Sequence, residues 1–373
     1  MQIRRQNPKL AKDEEERRRI KEYRAAVAEA QRGNYAQSFD RLDRLGVITP
    51  CWSVAEQREK LASEYLALTS KGRSTVVISQ TWGEIHQLNE RIRDGLRELG
   101  MIGKQDVTVT SYEKVDLTNA QKRDLRFYEP ESVLIFNRSV GGFNKGDSAK
   151  LLRIAATHLL VEGSERVGKI AFEHLGRFSV GRPKQLALAE GDRLQLKANS
   201  KTADGKELVN GELVTVQEVD ERGRIRLKDC RTLPLNYREF VRGYAVTSYG
   251  SQGKTVEHVL FSDSAVKAAT NNQQWLVTIS RGTRGVKIFT QDKEQLRENV
   301  SRLGDRELAI ELGEKRLVAR NEQAALHPTI RRYVEGFITG RRQPTHEANV
   351  GNQTWKNQPT HRGNQAWTTS RGI

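Results

Sequence analysis

Gly250-Ser-Gln-Gly-Lys254-Thr255 is the stretch of this 373-residue chain that most invites a chemical reading, because it ends as a phosphate-binding loop ends. Such a loop cradles phosphates on backbone amides at a helix N-terminus and needs the spacing G-x-x-x-x-G-K-[ST]. Five residues before Gly253 stands Ser248, and the apolar run after Thr255 reads as a strand rather than a helix. The segment is therefore not a P-loop, and no other segment supplies one. Val259-Leu-Phe-Ser-Asp263 is a weak match to a magnesium-binding strand end. The seven histidines (86, 158, 174, 258, 327, 346 and 361) have no metal-ligand spacing. Two cysteines, Cys51 and Cys230, exclude a disulfide scaffold and cannot alone make a zinc site. No metal site is expected, and the chain has no evident means of holding ATP alone.

The charge balance points elsewhere. Lys and Arg number 63 against 47 acids, a formal net charge of +16. Residues 1–33 hold ten basic and six acidic side chains, and residues 341–373 hold five and one. Half of the excess thus lies in the two ends. Nucleic acid is the expected partner, since neutralising phosphates releases condensed counterions; the bland alternative is a basic protein that is merely soluble. No apolar run approaches the ~20 residues of a membrane helix. The N-terminus, MQIRRQNPKLAKDEEERRR, lacks a secretory hydrophobic stretch. A cytoplasmic location without membrane contact is expected.

An α/β scaffold must position whatever chemistry there is. The first segment reads as helices, with Ala36, Phe39, Leu42 and Leu45 spaced by three and Ser53-Val-Ala-Glu56 in the form of a capping box. Thr75–Ser79 suits a strand buried on both faces. Thr81-Trp-Gly-Glu84 offers a second capping box, and Ile85, Leu88, Ile92, Leu96 and Leu99 mark a helix face. Val107 and Val109 start a further strand, completing a βαβ unit and implying a parallel sheet. From about residue 121 to 238, short strands (132–137, 193–197, 213–219, 224–227) alternate with turn clusters, which suggests an inserted antiparallel barrel. Asn210-Gly211 fits a tight hairpin turn. Strands then return at Tyr244–Ser248, His258–Phe261, Trp275–Ile279 and Val286–Phe289, with helices over 292–303 and 314–339. The last segment, with its repeated Gln-Pro-Thr-His, is too polar for a core and is expected to be a disordered basic tail. The expected division is 1–120, 121–238, 239–312, 313–340 and 341–373.

Several of these residues fall into a known order. Tyr244-Ala-Val-Thr247-Ser-Tyr249-Gly-Ser-Gln252-Gly253-Lys-Thr255 resembles motif V of superfamily 1 helicases of the RecD type, and Thr278-Ile-Ser-Arg281-Gly resembles motif VI. Arg5-Gln6 matches their R-Q element. With Val76–Thr81, Asn89, Arg93, Asp192 and Asn210-Gly211-Glu212, residues 1–312 resemble the helicase portion of conjugative relaxase–helicases. Where motif V usually has histidine, this chain has Tyr249, which keeps a stacking ring and changes the hydrogen bonding.

The resemblance implies a RecA-like second motor domain with an SH3- or OB-like insertion. Arg281 would be the arginine that reaches the γ-phosphate, with Arg284 as rival and Arg5 as a second contact. Gln252 and Gly253 would sense the nucleotide. Thr247, Tyr249, Thr81 and Asn210 would contact DNA, although Thr81 also reads as a helix cap and Asn210 as a turn residue. The P-loop and magnesium-binding acids of such helicases lie upstream of the R-Q element, so ATP and Mg2+ would be held only together with a first motor domain or relaxase, in cis or in trans. The expected function is half of an ATP-dependent motor moving on single-stranded DNA in plasmid transfer. The alternative is a non-catalytic module that binds single-stranded DNA.

Overall fold

The computed structural model describes residues 6–129, 131–263 and 270–303. Arg5, the helix expected over 314–339 and the tail from 341 lie outside those residues. The chain opens with α1 (Glu14–Gln31), α2 (Tyr35–Arg44), β1 (Ile48–Pro50), α3 (Val54–Ser70), β2 (Thr75–Ser79) and α4 (Trp82–Glu98). It then builds β3 (Val107–Val115), β4 (Val133–Phe136), β5 (Ser148–Ile154), β6 (His158–Glu162), β7 (Val167–Ala171) and β8 (Phe178–Leu188). Next come β9 (Arg193–Leu196), β10 (Ser200–Lys201), β11 (Glu207–Leu208), β12 (Leu213–Val219), β13 (Ile225–Leu227) and β14 (Phe240–Arg242). Finally β15 (Ala245–Thr247), β16 (Val256–Ser262), α5 (Asn272–Ile279), β17 (Gly282–Thr290) and α6 (Lys293–Asn299) return to the first sheet.

That sheet is wholly parallel, in the order β1-β17-β16-β2-β15. Thr75–Ser79 is buried at every position, as a central strand covered on both faces must be. Val76 and Ile78 point to a core shared with α1, α2 and α5, built around Tyr23, Phe39 and Trp275. Val77 points to the opposite core, filled by Leu61 and Tyr65 of α3 and Ile85, Leu88 and Ile92 of α4. The expected α/β class, with a helical N-terminal segment and antiparallel structure inserted between two parts of a parallel sheet, is what the chain adopts.

Two expectations about elements give way. β3 is not the second strand of a βαβ unit: it pairs antiparallel with β8 from Val107↔Leu188 to Val115↔Val180. Thr108, Thr110, Tyr112 and Lys114 share one face and leave it polar and partly exposed, which a strand central in a covered parallel sheet cannot tolerate. Trp275–Ile279 is helix rather than strand. Asn271 and Gln274 form a reciprocal capping box, and Trp275, Thr278 and Ile279 are buried at i, i+3 and i+4. The insertion also holds more than one small sheet, with four strands in the order β13-β12-β9-β14 and six in the order β3-β8-β4-β5-β6-β7.

Asn210-Gly211 turns the chain without joining paired strands, since β11 pairs with β10 and β12 with β9 and β13. Glu212 N–H donates to Val209 O at 3.0 Å and Gly211 sits at φ +87°, where a side chain would be strained. Glu212 is then held by Arg231, which also donates to the Glu207 carbonyl at 2.7 Å.

One buried node fastens the insertion to the parallel sheet. Asp192, just before β9, is fully buried. Its carboxylate accepts from Arg93 Nε and Nη2 of α4 at 2.9 Å each, from Tyr244 Oη at 2.7 Å and from Ala189 N at 2.8 Å. Burial alone would lower the Arg93 pKa, but its bonds to Asp192 and Asp106 outweigh that and raise it. Asn89, one turn earlier, accepts from Tyr244 N and Ala245 N at 3.0 and 2.8 Å. Removing Asp192 takes the acceptor from Tyr244 Oη and Ala189 N and leaves Arg93 only Asp106, at a cost of about 3 kcal/mol. Asp192→Ala is therefore expected to lower stability by about that amount in urea unfolding. Arg126→Ala, which breaks an exposed pair with Asp124, should leave it nearly unchanged, since solvent screens such a pair. Equal effects of the two substitutions would show that the node carries no special weight.

Candidate nucleic-acid and nucleotide-sensing site

The strand order β16-β2-β15 obliges the segment after β15 to cross over β2 before entering β16. Residues 248–255 make that crossing from the carboxyl end of one strand to the amino end of the other, and their short helical turn packs against α5. Thr247 Oγ1 accepts the Gly250 N–H at 2.9 Å, so the hydroxyl expected on a DNA phosphate braces the loop. Ser251 N and Gln252 N return to Ser248 O and Tyr249 O, and the Gly250 carbonyl accepts from Gln195 of β9 at 3.2 Å. Tyr249 is left 79% exposed. Gln252 and Gly253 are exposed as well, with Gly253 at φ +79°.

At its far end the loop reaches Arg281, for Val256 N donates to Arg281 O at 3.2 Å. Arg281 is half-buried at the C-terminus of α5, not at a strand end as the sequence suggested. Its Nε donates to Val277 O at 2.8 Å and its Nη2 to Ser280 Oγ at 3.2 Å, so it serves as a cation on the last helical carbonyls. Gly282 admits Gly285 O and Tyr23 Oη, which would lie 2.5 and 2.8 Å from an added Cβ; the room it leaves is taken by the protein itself. The rival Arg284 is paired with Glu16 at 2.7 Å and Glu257 at 2.9 Å. Gln6, the neighbour of Arg5, is buried and donates from Nε2 to Gly282 O at 2.5 Å, while its Oε1 has no partner among the described residues. Three distant segments, at Gln6, Val256 and Arg281–Gly282, thus meet at one place.

The other end of the loop meets β2 and α4. The register Thr247↔Ser79 and the bond from Ser248 Oγ to Gln80 Oε1 at 3.0 Å bring Tyr249 and Thr81 to the same end of neighbouring strands. Thr81 precedes α4 but makes no side-chain cap. Glu84, expected to close that capping box, instead accepts from Ser79 Oγ at 2.6 Å and from Ser262 Oγ. At Ser53 the expected box is half present: Ser53 Oγ accepts Glu56 N at 3.1 Å, while Glu56 reaches Trp52 N at 2.6 Å rather than the cap itself. Trp82 is 43% exposed, with Lys197 Nζ 4.8 Å from its ring centroid. The sequence reading passed over both residues, which only the docking of β9 beside α4 brings together. Asn210 is exposed and stands apart, its turn contacting Asn199 and Leu196.

Asp263 closes β16 without the features of a magnesium ligand. It is 9% exposed, and its two carboxylate oxygens accept from Thr270 Oγ1 at 2.9 Å and Thr290 Oγ1 at 2.8 Å. Burial pushes its pKa up to about 6, and Glu84 and Asp292 nearby add to the rise against the two threonine bonds. Among the described residues no group of three or more His, Cys, Asp or Glu is placed to hold a metal ion. No helix among them is long and apolar enough to cross a membrane.

No family model matches the sequence, and no curated protein does. Among solved structures the chain is similar to the Pif1 helicase from Bacteroides in complex with ADP-AlF3 and ssDNA, with 12% identity, a TM-score of 0.27, and coverage of 82% of this chain and 54% of that one. The Pif1 helicase from Candida albicans gives 12% identity and a TM-score of 0.26 over 74% of this chain and 55% of that one. Bacteroides Pif1 bound to ssDNA gives 12% and 0.25, over 74% and 50%. The chain spans about half the length of each. TM-scores of this size assign no family, and the reading of the site rests on the chain's own residues.

The Asp263 cluster carries a pH signature of definite sign. Its ordinary pKa of 3.8 applies to the unfolded chain and about 6 to the folded one, so between those values the folded state binds more protons. Stability then falls as pH rises from about 4 to about 6, by on the order of 2–3 kcal/mol from this group. Asp263→Asn removes that titration. Its stability relative to the unsubstituted chain is expected to improve across that interval in urea unfolding at pH 4 and 6.5, and a constant difference would show that Asp263 does not titrate there.

Proposed function

We propose that this chain is the second motor domain of an ATP-dependent translocase on single-stranded DNA, a superfamily 1 helicase of the RecD type. The observation that carries this reading is the loop 248–255, which links an exposed ring at the carboxyl ends of β15 and β2 to the backbone of Arg281. A strand lying over Tyr249, Thr81 and Thr247 would be sensed at one end of the loop, and a nucleotide near Arg281, Gln252 and Gly253 at the other. Hydrolysis builds charge on the γ-phosphoryl oxygens, and an arginine delivered across a domain interface stabilises it, with a contribution of ~10³–10⁵ in rate. Arg281 is preferred over Arg284 for that role because the Ser280-Arg281 spacing is in register with the family pattern. To act, Arg281 exchanges its hold on the Val277 carbonyl for a phosphate oxygen.

ATP and Mg2+ belong in this reading to a P-loop-bearing first domain, supplied in cis or in trans by the same or another polypeptide, such as a relaxase. Neither the 250–255 loop nor Asp263 offers this chain the groups to hold them. A cytoplasmic role in conjugative plasmid transfer rests on the sequence resemblance alone. The second reading, a binding module without turnover, is favoured by one observation: Arg281 already has a structural task at the end of α5.

The two readings separate in one assay of ATPase activity with single-stranded DNA, run on the chain alone and with a P-loop domain added. The motor reading expects no turnover from the chain alone. With the added domain it expects turnover that Arg281→Ala lowers by about 10³ or more. Turnover by the isolated chain that Arg281→Ala abolishes overturns the division of labour; assisted turnover indifferent to Arg281 overturns its role. Binding to an oligo-dT strand should weaken steeply with salt. Tyr249→Ala should cost it about 1–3 kcal/mol.

A further inference from the structure

The inserted part of the chain walls a cleft of about 1050 Å³. One wall comes from the six-stranded sheet, with Lys114 on β3, Lys145 before β5 and Ser179 on β8. The other comes from the chain around β10 and β11 and from the approach to β14, with Lys197, Lys201 and Tyr237. Tyr237 is fixed there, since its Oη donates to Ala198 O at 2.8 Å and accepts from Ala198 N at 3.3 Å. Asn137, Asn199 and Asn236 add amide groups. Glu207 and Glu239 are the acids of the lining, against four lysines, two on each wall. A pocket for one small ligand is mostly apolar with a few convergent polar groups. This cleft is the reverse, with ammonium groups on both walls and amides and hydroxyls between them. Such a lining suits a chain of phosphates whose bases meet side-chain amides.

The position of the cleft selects the polyanion. Lys197 belongs both to the cleft and to the exposed rings, for its Nζ lies 4.8 Å from the centroid of the Trp82 ring. Trp82 follows Thr81, which the register of β15 with β2 brings to the same end as Tyr249. A strand that leaves those rings past Trp82 meets the cleft at Lys197. We propose that the cleft holds the continuation of the bound single strand of DNA beyond Trp82, with phosphates on Lys145 and Lys201. The proposal rests on the nucleic-acid reading above and lengthens the footprint of the chain on the strand.

The test is binding of a fluorescent oligo-dT strand of about 16 nucleotides to the full chain, titrated with salt. Lys145 and Lys201 are exposed, so Lys145→Gln and Lys201→Gln are expected to fold, which thermal melting checks. Each should lower the salt slope by about 0.7, and the two together should weaken binding about tenfold. Lys71→Gln, at the C-terminus of α3, controls for net charge and should change neither. Ultraviolet cross-linking of a strand carrying 5-iodouracil should place adducts on residues 197–209 or 234–239. Binding indifferent to Lys145 and Lys201, without adducts in those segments, overturns the cleft; a loss on Tyr249→Ala would then leave the broader reading standing. Equal losses from Lys71→Gln also overturn it, since charge anywhere would suffice. Absence of any binding overturns both. A poly-glutamate peptide that displaces the strand as well as unlabelled oligo-dT does would make the cleft a general polyanion surface and overturn its assignment to DNA.

Discussion

The carboxylate of Asp192 is the point on which the arrangement turns. It lies with no exposure between a helix of the parallel sheet and the first strand of the four-stranded sheet. Four groups from three parts of the chain converge on it: Arg93, Ala189 and Tyr244 by direct bonds, and Arg242 at 3.7 Å. An unpaired buried carboxylate would be costly, so only a docking that meets Arg93 and Tyr244 can bury Asp192. Burial and the Asp192 carboxylate together raise the Tyr244 pKa, keeping its hydroxyl a donor to that carboxylate. Because Arg193, Gln195 and Lys197 follow Asp192 in the chain, the same docking brings them to Thr75, to the Gly250 carbonyl of the crossing loop and to the Trp82 ring.

That loop is short for what it spans. Eight residues carry the chain from Thr247 over β2 to Val256. Its turns are closed by Thr247, Ser248 and Tyr249 as acceptors, which leaves the Tyr249 ring outside and the Gln252-Gly253 backbone exposed. A perturbation at one end has few residues over which to dissipate before it meets Arg281. In the proposed function this loop is the link between a strand and a nucleotide.

Much of the scaffold was legible in residue patterns. The run Thr75–Ser79 has no polar alternation and sits in the middle of a covered sheet. Ile85, Leu88, Ile92 and Leu96 at helical spacing are all buried. Leu213–Val219 is the strand that its turn signals bracket. Other patterns were ambiguous for physical reasons. Five apolar or β-branched residues at 275–279 fit either period, and a capping box just upstream decided for helix. The strands β5 to β8 alternate weakly, because a sheet with one wet face spreads its apolar residues thinly. Asn89, Arg93, Asp192 and Glu212, which carry part of the sequence resemblance, are occupied in holding the fold together.

From its own order of residues the chain determined that it is a basic α/β protein with an arginine after Ser280 and a Gly- and Gln-containing segment after Thr247. Those properties follow from composition and local spacing, which need no partner to be read. Only the tertiary structure decided that Arg281 caps a helix, that Arg284 is neutralised, and that Lys197 lies over Trp82. Lys197 lies more than a hundred positions from Trp82 and meets it where the pairing of Asp192 with Arg93 fixes how the two sheets lie together, and no local pattern encodes the distance between groups on different sheets.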